Sequence, residues 1–483
     1  MILEKIFGHA RNEPQRTAMH YRGYAISYGE FAYWIATARE FFAGQNLRPG
    51  GIAVFVTVPY RLDAWALDFA LRSLGIHTLA VGFPDGLRGL DLRNVTCVIT
   101  TIIGRSIPDL PAGSYKLIRI PQPLYLGRTA GPVPQLPALV HPEGGHILLT
   151  SGTTGARKKL LIGADCLAAM SERRGAIYGF NQNSVVNIFD FAMWTGGGYK
   201  NPLSIWRVGG AVVFHQGENP HHSLRIEGIT HAVTTPVRLS EILSAPDNEL
   251  LLNPGMLLSV GGAPLTRQLA EAARAKLTPH IYASLSSTEV GKWGLTRIDS
   301  PEDLGSHQID PSIEVQVVDD ADQPLPPGRV GAIRVRAADG VNGYLDDEAA
   351  SRQIFRHGYF YSGDLGEFAA NGRLVLHGRA SSVIIVRGVK FAAEPIERVL
   401  QEKLGAEAIC IVAMPGESDL EEVHVVIQSR LAIAAAEIRA GIRTSLPSAD
   451  KVRIHFIGEM PRNELGKIDR ITLRRRISTM PTV

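Results

Sequence analysis

The sequence has little of what marks a secreted, membrane or zinc-ribbon protein. Its three cysteines, Cys97, Cys166 and Cys410, are widely spaced and form no CxxC pair, so neither a disulfide framework nor a cysteine-based metal site is indicated. No apolar run approaches the roughly 18 residues of a membrane span, and the N-terminus has no apolar core of signal length. We therefore expect a cytoplasmic protein without a membrane span.

The sequence also has no marked excess of positive or negative charge. The 50 basic and 47 acidic residues leave a net charge of +3, too small to indicate nucleic acid as a partner. The local basic cluster of Arg470 and Arg474–Arg476 is typical of a solvated helix face. Hydrophobic residues make up 45% of the 483 positions, as in ordinary globular proteins, so long disordered stretches are excluded and two to four domains are expected.

Apolar runs of strand length alternate with helical patterns along the chain. Gly51–Val58 is nearly continuous apolar sequence, typical of a strand buried on both faces, and Leu62–Leu74 follows with helical spacing. This order predicts the α/β class, with layered sheets of parallel strands. A boundary near Gly378–Ser382 separates a large N-terminal domain, 1–380, from a smaller α+β domain, 381–483.

A loop rich in glycine and hydroxyl residues follows the apolar run His146–Leu149. Free backbone N–H groups and hydroxyls suit an anion, and three cations after the loop would add charge for a polyphosphate. The spacing differs from the common phosphate loop, because only two residues separate its glycines. A polar hairpin turn is the alternative; phosphate binding is favoured. The loop residues are Thr150, Ser151, Gly152, Thr153, Thr154 and Gly155, and the cations are Arg157, Lys158 and Lys159.

Five further segments place small or charged residues after apolar runs. The first ends a strand at Gly261, Gly262 and Ala263 before a helix, which is where α/β sheets tend to bind ligands. In chain order the segments are VGGAP at 260–264, SLSSTE at 284–289, SGDLG at 362–366, GRASSVIIVRGVKF at 378–391 and PRNELGKIDR at 461–470.

Together with the glycine-rich loop, these segments follow the order of the motifs of the adenylate-forming (ANL) superfamily. The sequence resembles that family, which includes acyl- and aryl-CoA synthetases, from about Ile52 to Arg470. The resemblance implies a large adenylation domain and a mobile C-terminal domain. It also implies ATP- and Mg²⁺-dependent conversion of a small carboxylic acid to acyl-AMP, with release of pyrophosphate. Transfer to a thiol would follow, on CoA or on a carrier-protein phosphopantetheine.

The resemblance also implies residue roles. Lys467 would bridge the carboxylate and the α-phosphate, Thr288 would contact that phosphate, and Glu289 would hold Mg²⁺. Asp364 would accept hydrogen bonds from the ribose hydroxyls, with Arg379 nearby. Each residue also has a structural alternative. Lys467 could lie in a surface turn, Thr288 and Glu289 could cap a helix, Asp364 could belong to a Gly-Asp turn, and Arg379 could form a structural ion pair. Further nucleotide contacts are implied for Thr150–Gly155, Lys158, Gly261, Gly262, Ala263, Ser284, Leu285, Ser286 and Ser287.

Several positions depart from the family pattern. Leu285 and Ser286 replace an aromatic residue and a glycine beside adenine, so we expect a weaker or differently shaped nucleotide site. Ser381 stands at the hinge, where Asp or Lys is usual. For the thiol step, the resemblance implies Gly388 and Lys390. Lys390 stands where the family has an arginine, so the positive charge is kept but the planar guanidinium group is lost.

The acid pocket is predicted around an aromatic-flanked glycine run. Trp194, Gly198 and Tyr199 would line it and suit an aromatic or short apolar acid. The glycines either admit a ligand close to the backbone or form a tight crossover. Asp190 is similar in position to the Asp that binds an amino group in peptide synthetases, but the longer stretch after it disfavours amino acids.

Three functions remain open at this stage. The leading one is a free-standing acid–thiol ligase that uses CoA, acting as a monomer or homodimer. Because no carrier domain follows Arg470 in the sequence, the acceptor is expected to be a diffusible thiol or a separate carrier protein. The alternatives are a stand-alone adenylation enzyme that loads such a carrier, and a degenerate homologue that binds ligand without turnover.

Overall fold

A computed structural model of the chain shows mixed α/β architecture, and the predicted class of layered α/β sheets is confirmed. Among the described residues, no helix combines the length and apolar character needed to cross a membrane. The structure describes residues 1–21, 23–58, 62–82, 84–87, 89–101, 115–120, 122, 132–136, 139, 142–151, 157–189, 191–214, 219–386, 389–415, 421–430, 433–445, 452–462, 467–478 and 480.

The strands follow one another along the chain with these bounds. The first fourteen are β1 Thr17–Tyr21, β2 Tyr24–Ser27, β3 Ile52–Val56, β4 His77–Val81, β5 Val95–Thr100, β6 Lys116–Arg119, β7 His146–Ser151, β8 Arg157–Ile162, β9 Val185–Asn187, β10 Ala211–Phe214, β11 His231–Thr234, β12 Leu257–Gly261, β13 His280–Ser287 and β14 Gly291–Arg297. The others are β15 Ser306–His307, β16 Glu314–Val318, β17 Gly331–Arg336, β18 Phe355–Arg356, β19 Tyr359–Phe368, β20 Leu374–Arg379, β21 Val383–Val386, β22 Val389–Ala392, β23 Ala408–Pro415, β24 Glu421–Gln428 and β25 Val452–Phe456.

The helices are interspersed among these strands. They are α1 Ile2–Asn12, α2 Tyr28–Ala43, α3 Ala64–Ser73, α4 Ala164–Tyr178, α5 Gly196–Val208, α6 Pro236–Leu243, α7 Arg267–Lys276, α8 Glu348–Ile354, α9 Ala393–Leu404, α10 Ala435–Ser445 and α11 Arg470–Ile477.

The chain divides into two compact units. The first comprises Met1–Gly261, Gln268–Asp299 and Arg336–Phe360, and the second comprises Gly262–Arg267, Ser300–Val335 and Tyr361–Val483.

Two mostly parallel sheets form the first unit. One has the order β14-β13-β12-β11-β9-β10-β1-β2 and the other β6-β5-β3-β4-β7-β8. In β3 every residue is buried, as expected for a central parallel strand covered on both faces. Ser27 begins α2 with a capping box, in which its hydroxyl accepts from the Glu30 backbone and the Glu30 carboxylate accepts from the Ser27 backbone. The largest apolar core combines α1–α5 with side chains of both sheets.

The second unit contains three smaller sheets among its described residues. Their orders are β15-β20-β19-β17-β16, β21-β22 and β23-β24-β25. Successive side chains of strand β23 point into two different cores, one on each face of the sheet. Ile409 and Ile411 lie in the core shared with α9 and α10, whereas Cys410 and Val412 pack with Leu473 of α11. Because each face of this sheet is covered by helix, β23 is apolar throughout.

Two local predictions need correction. From its apolar character the run Ser184–Phe191 (SVVNIFDF) is predicted to be one strand, but β9 covers only Val185–Asn187. The strand stops there because the Asn187 side chain accepts a hydrogen bond from the Phe189 backbone, which has a φ of 51°. The glycine run 196–198, predicted either to admit a ligand close to the backbone or to form a tight crossover, forms the first turn of α5, capped by the Thr195 hydroxyl.

Candidate active site

The strands β7 and β8 that flank the glycine-rich loop form an antiparallel pair. Thr150 lies opposite Lys158, and Ser151 lies opposite Arg157. This antiparallel pairing is the arrangement expected of the hairpin alternative, and phosphate binding by the loop stays a prediction. The loop positions Gly152, Thr153, Thr154 and Gly155 lie outside the described residues.

Lys158 and Glu289 are connected through a tyrosine that the sequence motifs did not reveal. The Tyr344 hydroxyl donates to Glu289 Oε1 at 2.9 Å, and the Lys158 ammonium lies 4.9 Å from the Tyr344 ring centroid. The Glu289 side chain is buried. Tyr344 belongs to none of the recognised motifs. Its position directly after Gly343 is the one feature of the sequence that could have suggested a site residue there.

Thr288 and Glu289 lie in the turn between β13 and β14. The alternative reading of a helix-starting cap is therefore wrong, because a strand follows them. The buried Lys200 ammonium donates to the Thr288 carbonyl oxygen at 2.6 Å. Burial, reinforced by Arg174 and opposed by Glu289, lowers the pKa of Lys200 to about 7. Sequence reasoning missed this lysine, which carries no motif.

The N-terminus of α5 lies beside the same turn. A Cβ placed on Gly196 would lie 3.3 Å from the Thr288 hydroxyl oxygen, so the absence of a side chain lets helix and turn approach each other. The Thr288 hydroxyl, the α5 N-terminus and the buried Glu289 carboxylate therefore belong to one neighbourhood. That grouping offers hydroxyl and carboxylate oxygens to a phosphate-bound cation.

The end of β13 carries the predicted adenine contacts. Gly261 of β12 pairs with Ser284, and a Cβ on Gly261 would lie 2.9 Å from the Ser284 hydroxyl oxygen. A β-bulge falls between Leu285 and Ser286, where Leu285 is half-buried and Ser286 exposed. The Ser287 hydroxyl oxygen accepts from the Val290 backbone at 3.1 Å.

A buried lysine holds the Ser284 side chain. Lys292 Nζ donates to the Ser284 hydroxyl oxygen at 2.6 Å and lies 4.2 Å from the Tyr178 ring centroid. Burial lowers the pKa of Lys292 to about 8, with Tyr178 opposing the shift. Sequence reasoning also missed Lys292.

The predicted acid-pocket residues differ in their surroundings. Trp194 is partly buried against the main core, and a Cβ on Gly198 would collide with the Ala192 carbonyl. The backbone packing of α5 thus accounts for Gly198. Tyr199 is fully buried, while Asp190 lies outside the described residues.

Tyr199 belongs to a buried network of polar groups. Its hydroxyl donates to Asp68 Oδ2 at 2.7 Å and accepts from Arg72 Nη1 at 3.1 Å. Its ring stacks on His146, with centroids 3.6 Å apart and planes inclined by 6°. Arg72 also pairs with Glu143 at 2.7 Å. The network links α3, α5 and the first residue of β7, the strand that leads to the glycine-rich loop.

In the second unit, Asp364 of β19 and Arg379 of β20 occupy paired positions. Arg379 Nε lies 3.0 Å from Asp364 Oδ1, and Arg379 Nη1 donates to the Ser362 carbonyl at 2.6 Å. Burial raises the pKa of Asp364, opposed by Arg379, the Ser362 hydroxyl and the Lys467 cation. Asp364 and Arg379 are therefore in contact, and the Lys467 cation acts on the same carboxylate; that the three residues form one site stays a prediction.

The position of Lys467 depends on the helix that follows it. Asp469 caps α11, accepting from the backbone of Ile471 and Thr472. Arg470 Nη2 donates to Glu397 Oε2 at 2.8 Å, and its Nη1 donates to the Ile411 carbonyl at 2.8 Å. Arg470 therefore ties the Lys467 segment to α9 and β23.

The remaining predicted residues lie as follows. Gly262 and Ala263 follow β12, and Gly262 has a φ of +87°, which favours glycine. Ser381 is the middle residue of the 3-10 helix Ala380–Ser382. Lys390 pairs with Ile385 in the β21–β22 hairpin, and Gly388 lies outside the described residues.

Comparison with known proteins yields one family and several relatives. The chain matches the family model described as AMP-binding enzyme over residues 122–345. It is similar to a salicylyl-CoA synthase / salicylate adenylyltransferase of Streptomyces sp, with 27% identity over 69% of this chain and 64% of that protein. The chain thus spans a little under two thirds of that relative. It is also similar to the 2,3-dihydroxybenzoate-AMP ligase of Bacillus subtilis, with 26% identity over 89% of this chain and 80% of the ligase.

Solved structures share the fold over almost the whole chain. The O-succinylbenzoate coenzyme A synthetase of Bacillus subtilis, in complex with ATP and a magnesium ion, superposes with a TM-score of 0.84. It is 19% identical, and the match covers 97% of this chain and 99% of the synthetase. At that identity the likeness shows the architecture.

Proposed function

We propose that the chain is a member of the adenylate-forming (ANL) superfamily of AMP-binding enzymes, as its motifs predicted, and that it is an AMP-forming acid–thiol ligase of the acyl-CoA synthetase type. A carboxylate oxygen would attack the α-phosphorus of ATP, and the bond from that phosphorus to pyrophosphate would break. The thiol sulfur would then bond to the acyl carbon of the acyl-AMP, the thiol would lose its proton, and AMP would leave.

The observation that carries this proposal is the grouping of Asp364, Arg379 and Lys467. Two anions approach each other in the first step, so fixed positive charge lowers its barrier. Lys467 would bridge the carboxylate and the α-phosphate. Asp364 would accept from the ribose hydroxyls, and Arg379, which already orients Asp364, would supply charge beside them. The Thr288 hydroxyl would contact the α-phosphate.

The residues present fit a magnesium ion bound mainly through the nucleotide. Mg²⁺ prefers oxygen ligands and commonly uses one or two carboxylates together with substrate phosphates. The buried Glu289 carboxylate, oriented by Tyr344, offers such a ligand. When bound, the ion would neutralise the triphosphate charge. Lys158 beside Tyr344 and the loop Thr150–Gly155 would contact the phosphates, and Gly261–Ala263 with Ser284–Ser287 would hold adenine.

The thiol step would depend on movement of the domain 381–483 against the domain 1–380. Ser381 would be the pivot, and its small side chain is compatible with rotation of the backbone there. Gly388 and Lys390 would then serve the thiol step. CoA is the proposed acceptor. We also propose a cytoplasmic location, which suits the three free cysteines, and leave both a monomer and a homodimer open.

An aromatic acid is the proposed substrate class. The printed names of the two relatives, salicylyl-CoA synthase and 2,3-dihydroxybenzoate-AMP ligase, both refer to aromatic carboxylates. Trp194 is the aromatic side chain best placed to contact such a ring, because it is partly exposed. Tyr199 is fully buried and would support the pocket from behind without contacting the acid. Gly198 and Asp190 would complete it.

Acid-dependent release of pyrophosphate tests the proposal. Aryl, short, medium and long acids and amino acids are incubated with ATP and Mg²⁺, with and without CoA. We expect turnover with aryl acids, formation of acyl-CoA, and loss of about a hundredfold or more in Lys467→Ala. Arg475→Ala, a change on α11 away from the assigned residues, is the matched control and retains activity.

A second candidate follows from the relative named as an AMP ligase. If acyl-AMP accumulates equally with and without CoA, the acceptor is a separate carrier protein. If no acid releases pyrophosphate but ATP binds, the degenerate reading motivated by Leu285, Ser286 and Ser381 replaces the proposal.

A further inference from the structure

Two consecutive histidines approach a glutamate at a place outside the residues assigned to nucleotide or acid. His221 and His222 belong to the 3-10 helix Pro220–Arg225, which lies between β10 and β11. Glu249 ends the 3-10 helix Asp247–Glu249, between α6 and β12. One ligand atom from each of the three side chains lies within 4.8 Å of the other two. No other group of three such side chains is found among the described residues.

We propose that His221, His222 and Glu249 bind a divalent transition-metal ion, with Zn²⁺ as the best fit. Two imidazole nitrogens and one carboxylate oxygen form a ligand set that suits Zn²⁺ better than Mg²⁺ or Ca²⁺. Water would complete a tetrahedral site. The proposal is independent of the proposed catalytic function.

The distances are close to those that such an ion requires. Tetrahedral zinc with bonds of about 2.0–2.1 Å holds its ligand atoms about 3.3 Å apart. His222 Nε2 lies 3.5 Å from Glu249 Oε2, close to that spacing. His221 Nε2 lies 2.7 Å from the same oxygen, the length of a hydrogen bond. Replacing the shared proton by the ion needs a separation of only about 0.6 Å more, which side-chain rotation supplies.

The backbone around the ligands is fixed by bonds that involve no metal. The Ser223 hydroxyl donates to the Pro220 carbonyl at 2.7 Å and accepts from Asn187 Nδ2 at 2.8 Å. These bonds anchor the histidine-bearing turn to β9. Arg225 Nη2 donates to the Glu249 carbonyl oxygen at 3.0 Å and thereby joins the two 3-10 helices. A site whose ligands are placed in advance loses less conformational entropy on binding.

Exposure and charge are compatible with an ion that enters from solvent. His221 is buried, whereas the side chains of His222 and Glu249 are 49% and 37% exposed. Arg225 is the nearby charge that opposes a cation, and its guanidinium already bonds the Glu249 backbone.

Metal titration of the full-length chain tests the site. The protein is freed of metal with a chelator and titrated with Zn²⁺ by calorimetry and with Co²⁺ by visible absorption. We expect one site per chain, a four-coordinate Co²⁺ spectrum, and a higher Tm with Zn²⁺. His221→Ala, His222→Ala and Glu249→Gln should each weaken binding about tenfold or more.

The control and the deciding outcomes are as follows. Glu241→Gln, on the neighbouring helix α6, leaves the affinity unchanged. His222 is half exposed, so His222→Ala retains the fold and decides the matter even if His221→Ala does not fold. Absence of a stoichiometric site in the wild-type chain, or equal affinity in wild type and His222→Ala, overturns the proposal and leaves a hydrogen-bonded histidine–carboxylate pair.

Discussion

The Lys200 ammonium donates a 2.6 Å hydrogen bond to the carbonyl oxygen of Thr288, 88 positions away in the chain. This bond fixes the turn that presents the Thr288 hydroxyl and the Glu289 carboxylate. Lys200 is almost completely buried, and burial lowers its pKa to about 7, so keeping it charged costs free energy. Because the buried charge of Lys200 does not favour stability, we infer that Lys200 serves to position the turn that carries Thr288 and Glu289.

Lys200→Met should therefore separate activity from stability. We expect kcat/KM for pyrophosphate release to fall about 10- to 100-fold, because the turn loses its anchor. The midpoint of denaturant unfolding should stay the same or rise, since methionine fills a similar volume without a desolvation penalty.

Two measurements decide this prediction. Kinetics with saturating acid and varied ATP give kcat/KM, and a urea titration gives the free energy of unfolding. Lys276→Met, which removes a lysine on the surface of α7, is the control and changes neither quantity. A variant that loses activity and stability in equal proportion would show that Lys200 serves the fold alone.

Asp364→Asn tests the proposed ribose contact. The amide preserves the shape of the carboxylate but removes the charge that pairs with Arg379 and one acceptor oxygen. We expect KM for ATP to rise about tenfold, the effect of losing a charge-assisted hydrogen bond, with KM for the acid nearly unchanged. Stability should fall by less than about 1 kcal/mol, because the pair is partly exposed and Arg379 keeps its bond to Ser362.

Steady-state kinetics with each substrate varied in turn check this expectation. Asp320→Asn, at an exposed turn of the same unit, is the matched control with wild-type kinetics. Equal increases in KM for ATP and for the acid would contradict a role confined to ribose.

The motif residues and the sheets were predictable from sequence for different reasons. Asp364 and Arg379 were identified by resemblance, and the structure pairs them across β19 and β20. The all-apolar run of β3 predicted a central strand because a parallel strand covered on both faces has no polar face. Both signals are local: they extend over a few consecutive residues.

Contacts between distant segments were not predictable in this way. Tyr344 meets Glu289 across 55 positions, and Lys200 meets Thr288 across 88. A single tyrosine or lysine is not part of a sequence pattern, so nothing in the sequence indicates which distant residue it will contact. The metal candidate shows the same limit, since His221 and His222 are adjacent in sequence but Glu249 becomes a neighbour only through the fold.

Tyr199→Phe distinguishes a structural hydroxyl from one that contacts substrate. The change leaves Asp68 and Arg72 each without one buried hydrogen-bond partner. We expect the free energy of unfolding to fall by about 1–3 kcal/mol. The ring can still stack on His146, so KM for the acid should change by less than about twofold.

Denaturant titration and acid kinetics measure the two effects. Tyr24→Phe is the control, because Tyr24 is 74% exposed and its loss of a hydroxyl should be neutral. Unchanged stability with a large increase in KM would place the Tyr199 hydroxyl on the substrate.

His424 should make the second unit less stable in mild acid. Its Nδ1 lies 2.9 Å from Nε2 of His455, on the neighbouring strand β25, and the His424 side chain is buried. Burial, together with His455 and Arg453 and against the opposing Glu422, lowers the pKa of His424 to about 4. In the unfolded chain a histidine takes up its proton near pH 6.5.

Between these two values the unfolded chain binds a proton that the folded chain does not, so stability falls as the pH decreases from about 6.5 to about 4. The total loss from this group should be at most about 3 kcal/mol, since each unit of pKa difference corresponds to about 1.4 kcal/mol. Urea unfolding followed across this range measures the slope, and His424→Gln should flatten it. An NMR titration that gives the His424 imidazole a midpoint near 6.5 in the folded protein would contradict the argument, because no difference in proton uptake would then remain.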